Sequence, residues 1–262
     1  MNVPLKIGRS LAVAAASVLA LSSLAACGSG DSSGSSSSKN VILHVFAAAS
    51  LTESFTTLGK QFEKDHPGTK VEFNFGPSSG LSEQITSGAP ADVFASASPS
   101  NMDTLVSGGD AKDPKNFATN SMEIATPPDN PAKIASVNDL AKSSVKVALC
   151  APDVPCGKVA AEVFANAKIT VKPVTEEVDV KSVLTKVTLG EVDAGVVYVT
   201  DVRAAGDKVK GVEISPDVNA TTSYPIATLE GSKHQKEAGE FVDLVLSDDG
   251  AKVLEEAGFQ GP

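Results

Sequence analysis

Apolar positions along the chain fall into short runs separated by turn residues, and two periods alternate through most of its length. Val41 to Ala47 is a β-rich apolar run. Leu51, Phe55, Leu58 and Phe62 follow at a spacing that predicts one face of a helix over Leu51–Lys64. His66-Pro67-Gly68 ends that helix, and Lys70–Phe75 is the next predicted strand. The alternation continues with helix Leu81–Ser87, strand Ala91–Ala97, helix Pro99–Ser107 and strand Ser121–Thr126, which Pro127-Pro128 halts. Strands at Val145–Leu149, Ile169–Val174 and Ala194–Val199 are interleaved with helices at Lys158–Ala167 and Val180–Leu189. Strands around Val212–Ile214 and Pro225–Leu229 precede two closing helices, Gln235–Leu246 and Gly250–Ala257. Such alternation predicts an α/β architecture with largely parallel sheets.

The start of the chain breaks this rhythm. An apolar segment, Leu11 to Leu21, follows Lys6 and Arg9 and leads into Leu24-Ala25-Ala26-Cys27. A charged start, an apolar core and small residues form a secretory signal. A cysteine directly after the small residues is what bacterial lipoprotein processing uses, lipidating the thiol and cutting before it. Residues 1–26 are therefore expected to be a signal peptide, and Cys27 the lipidated mature N-terminus. An uncleaved anchor helix is disfavoured, because spanning a bilayer takes ~20 apolar residues. Gly28 to Lys39 is almost wholly Gly, Ser and Asp, too polar to bury a core. Residues 27–39 thus form a flexible linker with a reach of roughly 20 Å. The expected location is the extracytoplasmic side of the cell membrane, with more than one acyl chain needed for stable anchoring.

Charge narrows the partners. The chain carries 22 Lys and Arg against 32 Asp and Glu, a net charge of −10. Loss of Lys6 and Arg9 with the signal makes it −12. That field repels nucleic acid, so no nucleic-acid partner is expected. With Cys27 assigned to lipid, Cys150 and Cys156 remain of the three cysteines. In an exported chain an even pair favours a disulfide closing a short loop, with a metal pair or free thiols as alternatives. His44, His66 and His234 lie far from both cysteines, and no zinc-like spacing is present.

Candidate chemistry collects at strand-to-helix junctions. Ser50 stands before the first helix with Glu53 three residues on, the spacing of a capping box. Ser78 and Ser79 precede the second helix, Pro155-Cys156-Gly157 opens the helix at Lys158, and Asp179 precedes the helix at Val180. Each helix N-terminus offers unpaired N–H groups and a partial charge of about +0.5, so four converging on one point would match a dianion. Ser and Asp at helix starts are also ordinary caps, and the local pattern alone leaves both readings open.

A longer resemblance bears on the choice. Phe46-Ala47-Ala48-Ala49-Ser50-Leu51-Thr52 resembles the first-strand signature of the molybdate-binding proteins that feed ABC importers. Gly88-Ala89-Pro90-Ala91-Asp92-Val93-Phe94 is similar to that family's Gly-Ala-Pro-Ala-Asp motif, and Pro155-Cys156-Gly157 to its Pro-Ala-Gly turn. Gly195-Val196-Val197-Tyr198-Val199-Thr200-Asp201 resembles its Gly-Ile-Val-Tyr segment, and Tyr224-Pro225-Ile226 its return strand. The motifs occur in the family's order from Val41 to the C-terminus.

The resemblance implies a two-lobed, type II periplasmic-binding-protein-like fold, with a central sheet in each lobe and helices on both faces. Residues 40–120 plus 224–262 would form one lobe and 121–223 the other, with hinge crossings near Ser121 and Tyr224. It implies an oxyanion held by the hydroxyl and backbone N–H of Ser50 and of Ser78, the backbone N–H of Cys156 and of Val180, and the Tyr198 hydroxyl. Ser79 could substitute for Ser78. The ligand would be molybdate or tungstate, the partners an ABC permease and its ATPase, with no cofactor, no metal cation, no covalent chemistry and a monomeric state. A set made of donors suits an anion without a proton, whereas phosphate would want an acceptor. The alternatives are a same-fold receptor for sulfate or a small carboxylate, and a surface-anchored hydrolase, which would need a base that no junction histidine supplies. Among other polar residues, Asp179 is read as a cap on its own helix. Asp92 is read as fixing a turn, Asp201 as a helix cap, His44 as packed or half-exposed, and Tyr224 as a packing or hinge residue.

Overall fold

The computed structural model describes residues 40–262; the expected signal peptide over residues 1–26, the expected lipidation site Cys27 and the expected linker to residue 39 lie outside the described residues. Among the described residues, nine strands and eight α-helices follow one another, largely in the expected alternation. In the first half they are β1 (Val41–Ala48), α1 (Thr52–Asp65), β2 (Thr69–Gly76), α2 (Ser78–Thr86), β3 (Val93–Ala95), α3 (Pro99–Gly108) and β4 (Lys115–Thr126). Then come β5 (Val147–Cys150), α4 (Pro155–Asn166), β6 (Thr175–Glu177), α5 (Val180–Thr188), β7 (Ala194–Tyr198) and α6 (Val199–Ala205). The chain closes with β8 (Lys210–Glu213), β9 (Thr221–Thr228), α7 (Gln235–Leu246) and α8 (Asp248–Ala257). No helix among the described residues is long and apolar enough to cross a membrane.

The apolar spacing that predicts α1 is the spacing that buries it: Leu51, Phe55, Leu58 and Phe62 are all fully buried. On β1, Leu43, Val45 and Ala47 enter one hydrophobic cluster with α1 and α7, while Phe46 enters another with α2 and α3. Both faces of the strand are thus covered, which is why it reads as a continuous apolar run. A separate cluster gathers Ile124, Val147, Val163, Val183, Val187 and Val196 around β5 and β7. These cores build two α/β lobes.

The strands lie in the order β2-β1-β3-β9-β4-β7-β5-β6, with β8 also on β4. Each lobe has a parallel group, β2-β1-β3 in one and β7-β5-β6 in the other. The centre differs from the largely parallel expectation: β3-β9, β9-β4, β4-β7 and β4-β8 are all antiparallel. Strand β4 joins the two groups, pairing with β9 up to Ser121 and with β7 from Met122 onward. The two central sheets are therefore linked through one shared strand.

Three local expectations are corrected. No strand forms over Ile169–Val174; the pairing with β5 begins at Thr175, directly beyond Pro173 and Val174, since proline removes a ladder donor. Strand β4 starts at Lys115 and not at Ser121, because its polar first half is held by β9. Residues after Tyr198 turn into α6, where Asp201 accepts the Tyr198 backbone N–H at 3.1 Å.

Candidate functional site

The carboxyl ends of the parallel strands of both lobes converge on one cavity, where α/β folds place their ligand sites. It is lined by Ala48, Ala49 and Ser50 at and beyond the end of β1, Gly76, Pro77 and Ser78 at and beyond the end of β2, and Ala97 after β3. From the other lobe come Val154, Pro155 and Cys156 at the start of α4, Asp179 and Val180 at the start of α5, and Tyr198 at the end of β7. The cavity volume is about 20 Å³. All five residues singled out in the sequence, Ser50, Ser78, Cys156, Val180 and Tyr198, line it. No Lys, Arg or His is among its lining residues.

The hydroxyls differ in their bonding. Ser78 Oγ accepts the backbone N–H of Ala97 at 3.0 Å, which leaves its proton to donate. Ser50 Oγ lies 2.8 Å from Tyr224 Oη, and both groups are buried. This corrects the capping-box expectation: the Ser50 side chain does not cap α1, whose N-cap is Leu51 without a side-chain bond. Tyr198 is 1 % exposed, yet its hydroxyl has no hydrogen-bond partner among the described residues. Buried phenols almost always find a partner, which makes this hydroxyl exceptional on the cavity it lines. Burial pushes the Tyr198 phenol well above its ordinary pKa, so it carries its proton at neutral pH.

The backbone contributes through helix starts. Cys156 is the second residue of α4, after Pro155, and Val180 the first of α5; N–H groups there have no intrahelical partner. Asp179 caps α5, its Oδ1 accepting the Ser182 N–H at 2.8 Å. Cys150 and Cys156 form a disulfide with Cα atoms 5.8 Å apart. It ties the end of β5 to the start of α4, and closing so short a loop contributes about 2 kcal/mol in the chain-entropy account. Gly157 follows for a steric reason: a Cβ there would overlap the carbonyl oxygen of Ala151 and sit 2.7 Å from its carbon.

Beside the cavity Lys181 meets two carboxylates. Its Nζ is 2.8 Å from Glu53 Oε2 of α1 and 3.1 Å from Asp201 Oδ1 of α6. Asp201 is fully buried, and burial raises its carboxyl pKa despite the neighbouring ammonium. Burial by itself would lower the Lys181 pKa, but the charges of Asp201 and Glu53 outweigh it and hold it above the usual lysine value. Lys181 is thus neutralised and also bridges the lobes. Arg203 Nη1 adds a second bridge, donating to the carbonyls of Glu255 and Glu256 at 3.2 Å each.

Other expectations resolve locally. Asp92 accepts the His44 N–H at 2.8 Å and the Ser232 hydroxyl at 2.5 Å, joining β1 to the turn after β9. His44 has a partly exposed side chain 4.0 Å from Glu72. Gly76-Pro77-Ser78-Ser79-Gly80 has the Gly-x-Ser-x-Gly spacing of a nucleophile elbow and lies at a strand-to-helix junction. The Ser78 hydroxyl is bound to the Ala97 N–H and no histidine lines the cavity, so the base that such a serine needs is missing there. Sequence reasoning missed Lys181, Asn120 and the bond made by Tyr224, whose partners are far away in the chain.

Comparison with known proteins identifies the family of the chain. Residues 43–260 match the family model described as bacterial extracellular solute-binding protein. The chain is 39 % identical over 252 residues to a protein of Mycobacterium tuberculosis named molybdate-binding protein ModA, covering 94 % of this chain and 96 % of the relative. It is 37 % identical over 243 residues to YvgL of Bacillus subtilis, named a putative ABC transporter substrate-binding lipoprotein, covering 90 % of this chain and 92 % of that one. A solved structure titled the substrate binding domain of a putative molybdenum ABC transporter from Clostridium difficile superposes with a TM-score of 0.64 at 30 % identity, covering 85 % of this chain and 99 % of that one. The chain belongs to the bacterial extracellular solute-binding protein family.

Proposed function

We propose that this protein is an extracytoplasmic lipoprotein that binds molybdate, and tungstate of like size and charge, and delivers it to an ABC-type importer. The observation that carries the reading is the buried Tyr198 hydroxyl without a partner among the described residues, on a cavity whose other polar groups are hydroxyls, helix-start N–H groups and the Asp179 carboxylate, which is engaged in capping α5. Ser50, Ser78 and Tyr198 would donate from side chains, and Cys156 and Val180 from the backbone. A fully deprotonated tetrahedral dianion accepts on every oxygen, which matches such a set. The helix starts of α2, α4 and α5 add partial positive charge without a formal cation. The names of the M. tuberculosis relative and of the C. difficile structure support the choice of metal oxyanion.

Lobes of residues 40–120 plus 224–262 and of 121–223, crossing near Ser121 and Tyr224, would close on the anion as a hinge does. The permease would read the closed form, and a monomer suffices for this. Anchoring at Cys27, after removal of residues 1–26, accords with the lipoprotein name of the B. subtilis relative. No cofactor takes part, and the reading requires no enzymatic step.

Titration calorimetry with molybdate, tungstate and sulfate tests the assignment. Molybdate and tungstate are expected to release binding heat. Tyr198→Phe is expected to weaken both about 10- to 100-fold, the worth of one hydrogen bond to a charged group. Heat with sulfate alone would move the reading to another oxyanion; no heat with any of the three would remove it.

A further inference from the structure

Tyr224 does not line the cavity, yet its hydroxyl sits behind one that does. Tyr224 is fully buried in β9, with Oη 2.8 Å from Ser50 Oγ. On the far side, Asn120 Nδ2 donates to Tyr224 Oη at 3.4 Å and to Thr200 Oγ1 at 2.9 Å. The amide orientation of Asn120 is set by its other end, where Oδ1 accepts the Ser121 backbone N–H at 3.1 Å. An amide nitrogen can only donate. The single proton of Tyr224 is therefore free to go to Ser50, whose oxygen would then receive a hydrogen bond from within the protein. Its own proton is then left for the cavity, on an oxygen polarised by the bond behind it. Burial holds the Tyr224 phenol above its ordinary pKa, so the proton is present at neutral pH.

We propose that Asn120 and Tyr224 are positioning residues that fix the Ser50 hydroxyl as a donor toward the bound anion. This rests on the oxyanion reading above and deepens it. The relay gives Ser50 the state that Ser78 obtains from the Ala97 N–H: in both, an internal donor occupies the oxygen and the proton remains for the ligand. It also gives Tyr224 a role that packing alone does not. Asn120 lies next to the changeover of β4 between lobes and bonds α6 through Thr200, so the donor state of Ser50 depends on both sides of that strand.

A double-mutant cycle tests this on the full-length protein with molybdate as the probe. Tyr224→Phe is expected to lower affinity about tenfold, the upper end for one neutral hydrogen bond. In a Ser50→Ala background the same change is expected to cost less than about twofold, because the relay then has no terminus. Equal losses in the two backgrounds, or no loss from Tyr224→Phe alone, would overturn the relay while leaving the oxyanion reading intact. If the wild-type protein itself binds no oxyanion, that reading falls and the relay with it. A second readout does not depend on affinity. In proton NMR of the ligand-free protein, the protected Tyr224 hydroxyl proton is expected to show a cross-peak to the Ser50 β-protons. A cross-peak to the Asn120 amide protons without one to Ser50 would overturn the assignment even where Ser50→Ala binds too weakly to measure.

Discussion

Lys181→Met is expected to cost about 3 kcal/mol of folding stability at neutral pH, since removing one partner leaves a buried charge uncompensated. The substitution leaves Asp201, fully buried in α6, without the ammonium now 3.1 Å away. The loss should depend on pH in a definite direction. The folded-state pKa of Asp201 already lies above its ordinary value through burial, and loss of Lys181 raises it further. Below about pH 4 the carboxyl is protonated in both folded and unfolded chains, and the substitution costs little. As pH rises the unfolded chain releases its proton first, so the variant loses stability until the folded-state pKa is passed. Urea denaturation at pH 4.5 and pH 8 should thus show a larger deficit at the higher pH. Adding Asp201→Asn should recover most of it, because the pair is then removed together. A deficit that is the same at both pH values would show that Lys181 acts through packing.

Gly157→Ala is expected to cost about 3 kcal/mol and to weaken anion binding at the same time. Alanine ordinarily favours a helix over glycine by about 0.5–1 kcal/mol. Here the added Cβ would overlap the backbone oxygen of Ala151, and overpacking against atoms that cannot rotate away outweighs that gain. The loop cannot yield, since the Cys150–Cys156 disulfide holds it on both sides. Relief must come from displacing the start of α4, which carries the Cys156 N–H. For a body of this size the stability loss corresponds to roughly 6–12 °C in melting temperature. An unchanged melting temperature with unchanged molybdate affinity would contradict this account of why glycine stands there.

The junctions that line the cavity were legible in the sequence because each is local, while their gathering on one anion site was implied only by the family resemblance. Each strand-to-helix junction announces itself through small residues, a proline or an Asp cap, and the Asp179 cap of α5 and the Pro155 start of α4 formed where those residues stand. What was not legible depends on partners far along the chain. Ser50 and Glu53 have the spacing of a capping box, but Ser50 pairs with Tyr224, 174 residues away, and Glu53 with Lys181, 128 residues away. Both side chains are taken by tertiary partners before local capping can use them. The first half of β4 is polar and carries no strand signal of its own; β9 holds it in place. The apolar run Val196–Val199 looked like continuing strand because periodicity cannot show where a buried run changes from extended to helical. Asp201 makes the change by binding the Tyr198 N–H.

The pairing of Lys181 with Glu53 and Asp201 has a kinetic consequence. It offsets the charge of a cation beside the cavity in the field that an approaching ion meets, on a body whose net charge is strongly negative. A doubly charged guest must therefore travel against long-range repulsion before short-range dipoles take hold. Added salt shortens the reach of that repulsion, so capture of molybdate should quicken as ionic strength rises. Stopped-flow association rates would reveal this trend, the reverse of the one expected for an anion trap built from arginines.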